Sequence, residues 1–104
     1  MNNPAAPPSI LPDARPRLPR GVRLVHSEAH GGWVLLAPER LFKFGSDQNA
    51  GQIGAEIVKR CTGEASFAAI VDDLAATFAA PRERVEADVA TLLRGLADKK
   101  LLEL

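Results

Sequence analysis

Few residues in this chain of 104 are of types and spacings that could do chemistry. His26 and His30 lie four apart, a spacing that puts two ring nitrogens on one metal ion only when the segment is helical. Here they straddle a polar, glycine-ended turn from Ser27 to Gly32, with no second cysteine nearby and no carboxylate beyond Glu28. A structural role therefore outweighs metal binding. Cys61 falls on the apolar stripe of a helix and reads as a buried thiol rather than a nucleophile. Asp72-Asp73 reads as a solvated helix face, and Gly31-Gly32 and Gly51-x-x-Gly54 lack the strand-to-helix context of a phosphate-binding loop. The chain has no tyrosine and no stripe of alternating basic and aromatic residues. No catalytic constellation can be assembled, so the chain is expected not to be an enzyme and to need no metal or cofactor.

The elements that must position these residues fall into two periods. Val22 to His26, Trp33 to Leu36 and Leu41 to Phe44 read as strands joined by tight turns, with Phe42 and Phe44 on one face by the two-residue period. Proline presets the backbone angle of the Ala37-Pro38-Glu39-Arg40 turn. This is an antiparallel meander with the third strand on an edge. Gly45 to Asn49 reads as a polar connector in which Ser46 and Asp47 are candidate N-caps. The period then becomes helical. Ile53, Ile57, Val58 and Cys61 mark a first helix, ended by Thr62-Gly63. Ser66 caps a second, with Phe67, Ile70, Val71, Leu74, Ala75 and Phe78 at i, i+3, i+4 and i+7 spacing. Pro81 opens a third, where Val85, Val89, Leu92 and Leu96 recur at helical spacing. The fold class is α+β: a three-stranded antiparallel meander followed by a three-helix, winged-helix-like bundle.

Length bounds this to one domain with a modest core. Residues 1–19 carry Pro4, Pro7, Pro8, Pro12, Pro16 and Pro19 and few large apolar side chains, so they read as a disordered or extended tail that contributes little to folding. Residues 20–104 form the domain. Acidic and basic residues number thirteen each, but Arg15, Arg17, Arg20 and Arg23 against Asp13 give the first 25 residues +3 and leave −3 on the rest. A slightly acidic body fits a phosphate backbone poorly. One cysteine excludes an internal disulfide, no apolar run reaches the ~20 residues of a membrane span, and no signal pattern precedes the domain; a cytoplasmic protein without a membrane partner is expected. Three helices with a turn at Thr62-Gly63-Glu64 keep a winged-helix DNA-binding module as the alternative. Against it, Arg82, Arg84 and Arg94 are interleaved with Glu83, Glu86, Asp88 and Asp98 on the third helix, and the second helix has no cation at all.

Several stretches are similar to the pyrroloquinoline quinone biosynthesis protein D (PqqD) family. They are Leu18-Pro-Arg-Gly-Val-Arg-Leu24, Val34-Leu-Leu-Ala-Pro-Glu39, Glu56-Ile-Val58 before Cys61-Thr-Gly63, and Asp88-Val-x-x-Leu92-Leu93-x-x-Leu96 before Leu101-Leu102. The similarity spans Leu18 to Leu104, with a stretch at Gly45 to Gln52 longer than the family pattern. The resemblance implies a small chaperone, a recognition element for ribosomally made peptides. Such a chaperone binds the precursor peptide PqqA and presents it to the radical S-adenosylmethionine enzyme PqqE, which joins a Glu and a Tyr side chain. It also implies that the peptide adds a strand to the third strand and lies against the third helix.

Residue chemistry fits both walls, and fits equally well the packing of both surfaces on the protein's own body or on a second copy. An edge strand offers unpaired N–H and C=O groups to an incoming strand, here at Arg40, Leu41, Phe42, Lys43 and Phe44. The apolar arc of the third helix spans roughly 160°, wider than one core requires. With Val85, Leu92 and Leu96 assigned to the core, the surplus flank of Leu93, Ala90, Ala97 and Glu86, together with Val89, forms the second expected wall. Monomer and homodimer both remain open, since a second copy could cover the same flank.

Overall fold

Trp33-Val34-Leu35-Leu36 is the middle of a three-stranded antiparallel sheet, where an unbroken apolar run can bury both faces. The strands are β1 (Arg23–Ser27), β2 (Gly32–Ala37) and β3 (Arg40–Lys43), in spatial order β1-β2-β3. The computed structural model describes residues 10–44 and 48–104; the expected caps Ser46 and Asp47 and residues 1–9 lie outside the described residues. Leu35 pairs with Leu24 on one side and Phe42 on the other, and all three contribute to the core.

Three helices follow: α1 (Gln48–Lys59), α2 (Phe67–Phe78) and α3 (Arg82–Asp98). The architecture is the expected α+β meander and trihelical bundle. α1 packs across β2, where Gly51 faces the Trp33 backbone and Lys59 Nζ sits 4.8 Å from the Trp33 ring centre. Ser66 caps α2 by accepting a bond from the Ala69 N–H at 3.2 Å. Arg60 then ties α2 to α1, pairing with Asp73 and with Glu56 at 3.0 Å, while Arg82 ties α3 to Asp72. Asp72 and Asp73 lie on an exposed face as expected, and each makes a surface ion pair with an arginine of a neighbouring segment.

The tail expectation is corrected from Ile10 onward. Ile10 and Pro16 are buried. Carbonyls of Pro12 and Ala14 accept from the Ala68 and Phe67 N–H groups at 3.0 and 2.7 Å, satisfying donors that the first turn of α2 leaves unpaired. Arg17 exchanges backbone bonds with Glu103 at 2.9 and 2.8 Å and adds a 2.7 Å side-chain pair. Proline bars a segment from donating to a sheet, but its carbonyl still accepts, so a proline-rich strand can serve as a cap. The boundary at residue 19 is not a boundary of the fold.

Candidate functional site

β3 is bonded to β2 alone, so its other edge is open among the described residues. The two-residue turn at Pro38-Glu39 makes Ala37 and Arg40 the closing bonded pair. By antiparallel alternation the N–H and C=O of Leu41 and Lys43 then turn to the free edge. Two contacts orient this edge against the helices. At its start the Arg40 guanidinium donates to the Lys99 carbonyl, beyond the end of α3. At its far end Phe44 covers Gly54 of α1 so closely that a Cβ there would lie 2.4 Å from its ring. Phe42 and Phe44 meet edge to face at 5.7 Å.

An apolar groove of about 220 Å³ opens between the helices, lined by Ile53 and Ile57 of α1, Leu74 and Phe78 of α2, and Val85 and Val89 of α3. Asp88 is the charged residue at its wall. Ile53 and Phe78 are 41% and 43% exposed, an unusual cost for two large apolar side chains on neighbouring elements.

The third-helix wall differs from expectation. Leu93 is 0% exposed and Ala90 is equally a core residue, whereas Leu92, expected at the centre of the core, is half-buried. Val89 is buried but does line the groove, while Glu86 and Ala97 are half-buried, Glu86 lying 3.7 Å from Arg82. The physical reason is that α3 packs on α2 and shares one buried core with Leu101, Leu102 and docked Ile10. The surplus apolar arc is covered by the chain itself, which turns the centre of the buried face towards Leu93. Ala90 and Leu93 therefore offer no surface to a partner. Of the strand wall, Arg40 and Lys43 are exposed and Leu41, Phe42 and Phe44 half-buried.

Ile53, Ile57, Phe78 and Val85 line the groove although their periodicity reads as core, which Ile57 and Val85 also are. The discriminating signal, one residue too many on each stripe, is visible only once the helices are placed. The remaining candidates for chemistry stay apart. Cys61 is buried, donates its S–H to the Ile57 carbonyl at 3.4 Å, and has its pKa pushed up to about 12 by that burial, which leaves a neutral thiol. His30 Nδ1 lies 2.9 Å from the Ser27 hydroxyl, while His26 packs edge-on against Trp33. Among the described residues no three potential metal ligands gather, and no helix is long and apolar enough to cross a membrane.

The family model described as coenzyme PQQ synthesis protein D (PqqD) matches residues 32–102, a span that includes β2, the open edge of β3 and all three helices. The chain belongs to the PqqD family. A relative from Bradyrhizobium diazoefficiens, named PqqA binding protein, is 40% identical over 94 residues, covering 90% of this chain and 85% of its own. A Xanthomonas oryzae pv. oryzae protein of the same name is 41% identical over 96 residues, covering 92% and 98%. Among solved structures, the PqqD part of Methylobacterium extorquens PqqCD is described as a functional, stand-alone recognition element for ribosomally synthesised, post-translationally modified peptides. It superposes with a TM-score of 0.67 at 40% identity over 86% of this chain and 88% of that one. PqqD from Xanthomonas campestris gives 0.51 at 41% identity, covering 92% and 100%.

Proposed function

We propose that this PqqD-family chain is a non-catalytic peptide chaperone in coenzyme PQQ biosynthesis. It binds a PqqA-type precursor peptide by strand addition and presents it to the radical S-adenosylmethionine enzyme PqqE in the cytoplasm. The observation that carries the reading is the open edge of β3, after which Phe44 packs on Gly54 of α1, the helix whose Ile53 and Ile57 line an exposed apolar groove. Main-chain bonds at Leu41 and Lys43 supply affinity without regard to sequence, and pockets for alternate side chains supply selectivity. The names borne by the relatives support the same ligand class. The peptide site then comprises Arg40 to Phe44, Val89, and the newly assigned Ile53, Ile57, Phe78 and Val85; Glu86 and Ala97 stay as its margin.

The test is calorimetric titration of the chain with a synthetic PqqA-type peptide, with and without the partner enzyme. Ordering a flexible peptide costs several kcal/mol, so affinity in the micromolar range is consistent with the reading. Absence of heat at roughly tens of micromolar, coupled with tight binding to duplex DNA, would sink it in favour of a winged-helix DNA-binding module.

A further inference from the structure

Three chain reversals far apart in sequence meet at the start of β3. Gly21, at φ 87°, lies so near the β2–β3 turn that a Cβ there would come within 3.3 Å of the Pro38 ring. The Arg40 guanidinium ties the same turn to the Lys99 carbonyl. Between these turns lies a cleft of about 520 Å³ whose charged lining is Arg20, Arg40 and Lys100 against Glu39. Three cations less one carboxylate leave +2 on this wall, in a chain whose formal net charge is zero. Among the described residues, none of the three cations makes an ion pair.

Lys100 is unusual on backbone grounds. The Leu101 N–H bonds the Leu96 carbonyl and the Lys100 N–H bonds the Ala97 carbonyl, both at 2.9 Å, and φ at Lys100 is +61°. This is a Schellman ending with lysine at the left-handed position, where glycine is the favoured residue because it has no Cβ to clash. Ala79 ends α2 in the same left-handed region at φ 50°, so the conformation by itself assigns no role. At Lys100 the side chain lines the cationic cleft.

We propose that this cleft is a carboxylate subsite of the peptide site, taking an Asp or Glu side chain of the peptide that adds to β3. The inference rests on the peptide reading above and deepens it by giving the bound peptide a direction. Its acidic residue lies at the Arg40 end and its apolar anchor in the groove beyond Phe44, where Asp88 repels a second acid. Arg40 and Phe44 are four residues apart, a span of about 13 Å in an extended strand. The two anchor residues of the peptide are therefore at least about four positions apart.

Calorimetry on the full chain tests this with a synthetic PqqA-type peptide and with versions in which each Asp or Glu is replaced in turn by its amide. Lys100→Gly relieves the left-handed strain, so its melting temperature is expected to rise by a few degrees while peptide affinity falls about three- to fivefold, the effect of one exposed ion pair. One amide peptide should lose a similar factor on the wild-type chain, and the two changes together should lose less than their product. Unchanged affinity in Lys100→Gly, or parent-like affinity of every amide peptide, overturns the subsite while leaving peptide binding intact. Duplex DNA binding that Lys100→Gly abolishes, with peptide affinity untouched, overturns it in favour of a phosphate ligand. If the parent peptide fails to bind the wild-type chain, the peptide reading and the subsite fall together.

Discussion

Truncating the two exposed walls of the groove separates binding from folding. Ile53 and Phe78 are 41% and 43% exposed, so about two-fifths of each side chain is available to a ligand. Full burial of such a side chain contributes about 1.5–3 kcal/mol, so the exposed share is about 0.6–1.2 kcal/mol per residue if the peptide covers it. Ile53→Ala or Phe78→Ala should then weaken peptide binding by about three- to eightfold, and the double variant by about eight- to sixtyfold. The share already buried, about 0.9–1.8 kcal/mol each, is lost from stability. Together that is about 2–4 kcal/mol, within the ~5–15 kcal/mol that a domain holds, so the double variant stays folded at room temperature with a lowered melting point. Leu11→Ala serves as the control, since Leu11 is 72% exposed and lies outside the groove; it should leave both quantities unchanged. Titration calorimetry gives the affinities, and circular dichroism melts show that each variant still unfolds cooperatively. A folded double variant that binds the peptide like the wild-type chain would refute the assignment of the groove.

Three further outcomes follow from the packing. Leu93→Ala should cost about 2–5 kcal/mol in urea denaturation and Leu92→Ala distinctly less, because Leu93 is fully enclosed and Leu92 half-buried; equal losses would show that the orientation of α3 is wrong. A chain starting at Leu18 loses the burial of Ile10 and the carbonyl caps on α2, so its melting temperature should fall by about 10 °C or more, and a fall of only a few degrees would show that this segment does not dock. Hydrogen bonds from Arg60 first and Lys59 second hold the Glu56 carboxyl below its ordinary value of 4.5. A group with a lowered folded pKa stabilises above its unfolded value and loses that contribution as pH falls through the folded one. The melting-temperature gap between the wild-type chain and Glu56→Gln should therefore be largest near neutrality and close in acid; a gap constant down to pH 3 contradicts the ion-pair account.

Local chemistry along the chain was enough to place the elements, although α1 starts at Gln48, inside the expected connector, and ends at Lys59, before Cys61. The Trp33–Leu36 run has no polar position to put in solvent, so it had to be the central strand. Pro38-Glu39 leaves room only for a tight hairpin. Ser66 and the 3.6-residue repeat of Phe67, Ile70, Val71 and Leu74 specify α2 with its start. That the third strand is an edge was legible too, but which of its groups face outward depends on register, which the Ala37–Arg40 pairing sets.

Tertiary structure decided which apolar residues are left over. A helix stripe states how much surface must be covered, not by what. The arc of α3 reads as wider than one core requires, yet Ala90 and Leu93 join the same core cluster as α2, Leu101, Leu102 and Ile10, and large apolar side chains are exposed instead at Ile53 and Phe78 on other helices. Similarly, Pro12, Ala14 and Pro16 look like tail because prolines cannot donate, while their value as acceptors depends on where the first turn of α2 and Gly63 come to lie. The cleft of Arg20, Arg40 and Lys100 joins residues 80 positions apart. Burial and charge clustering of this kind are sums over neighbours brought together by folding, whereas turns, caps and periodicity depend on residues a few positions apart.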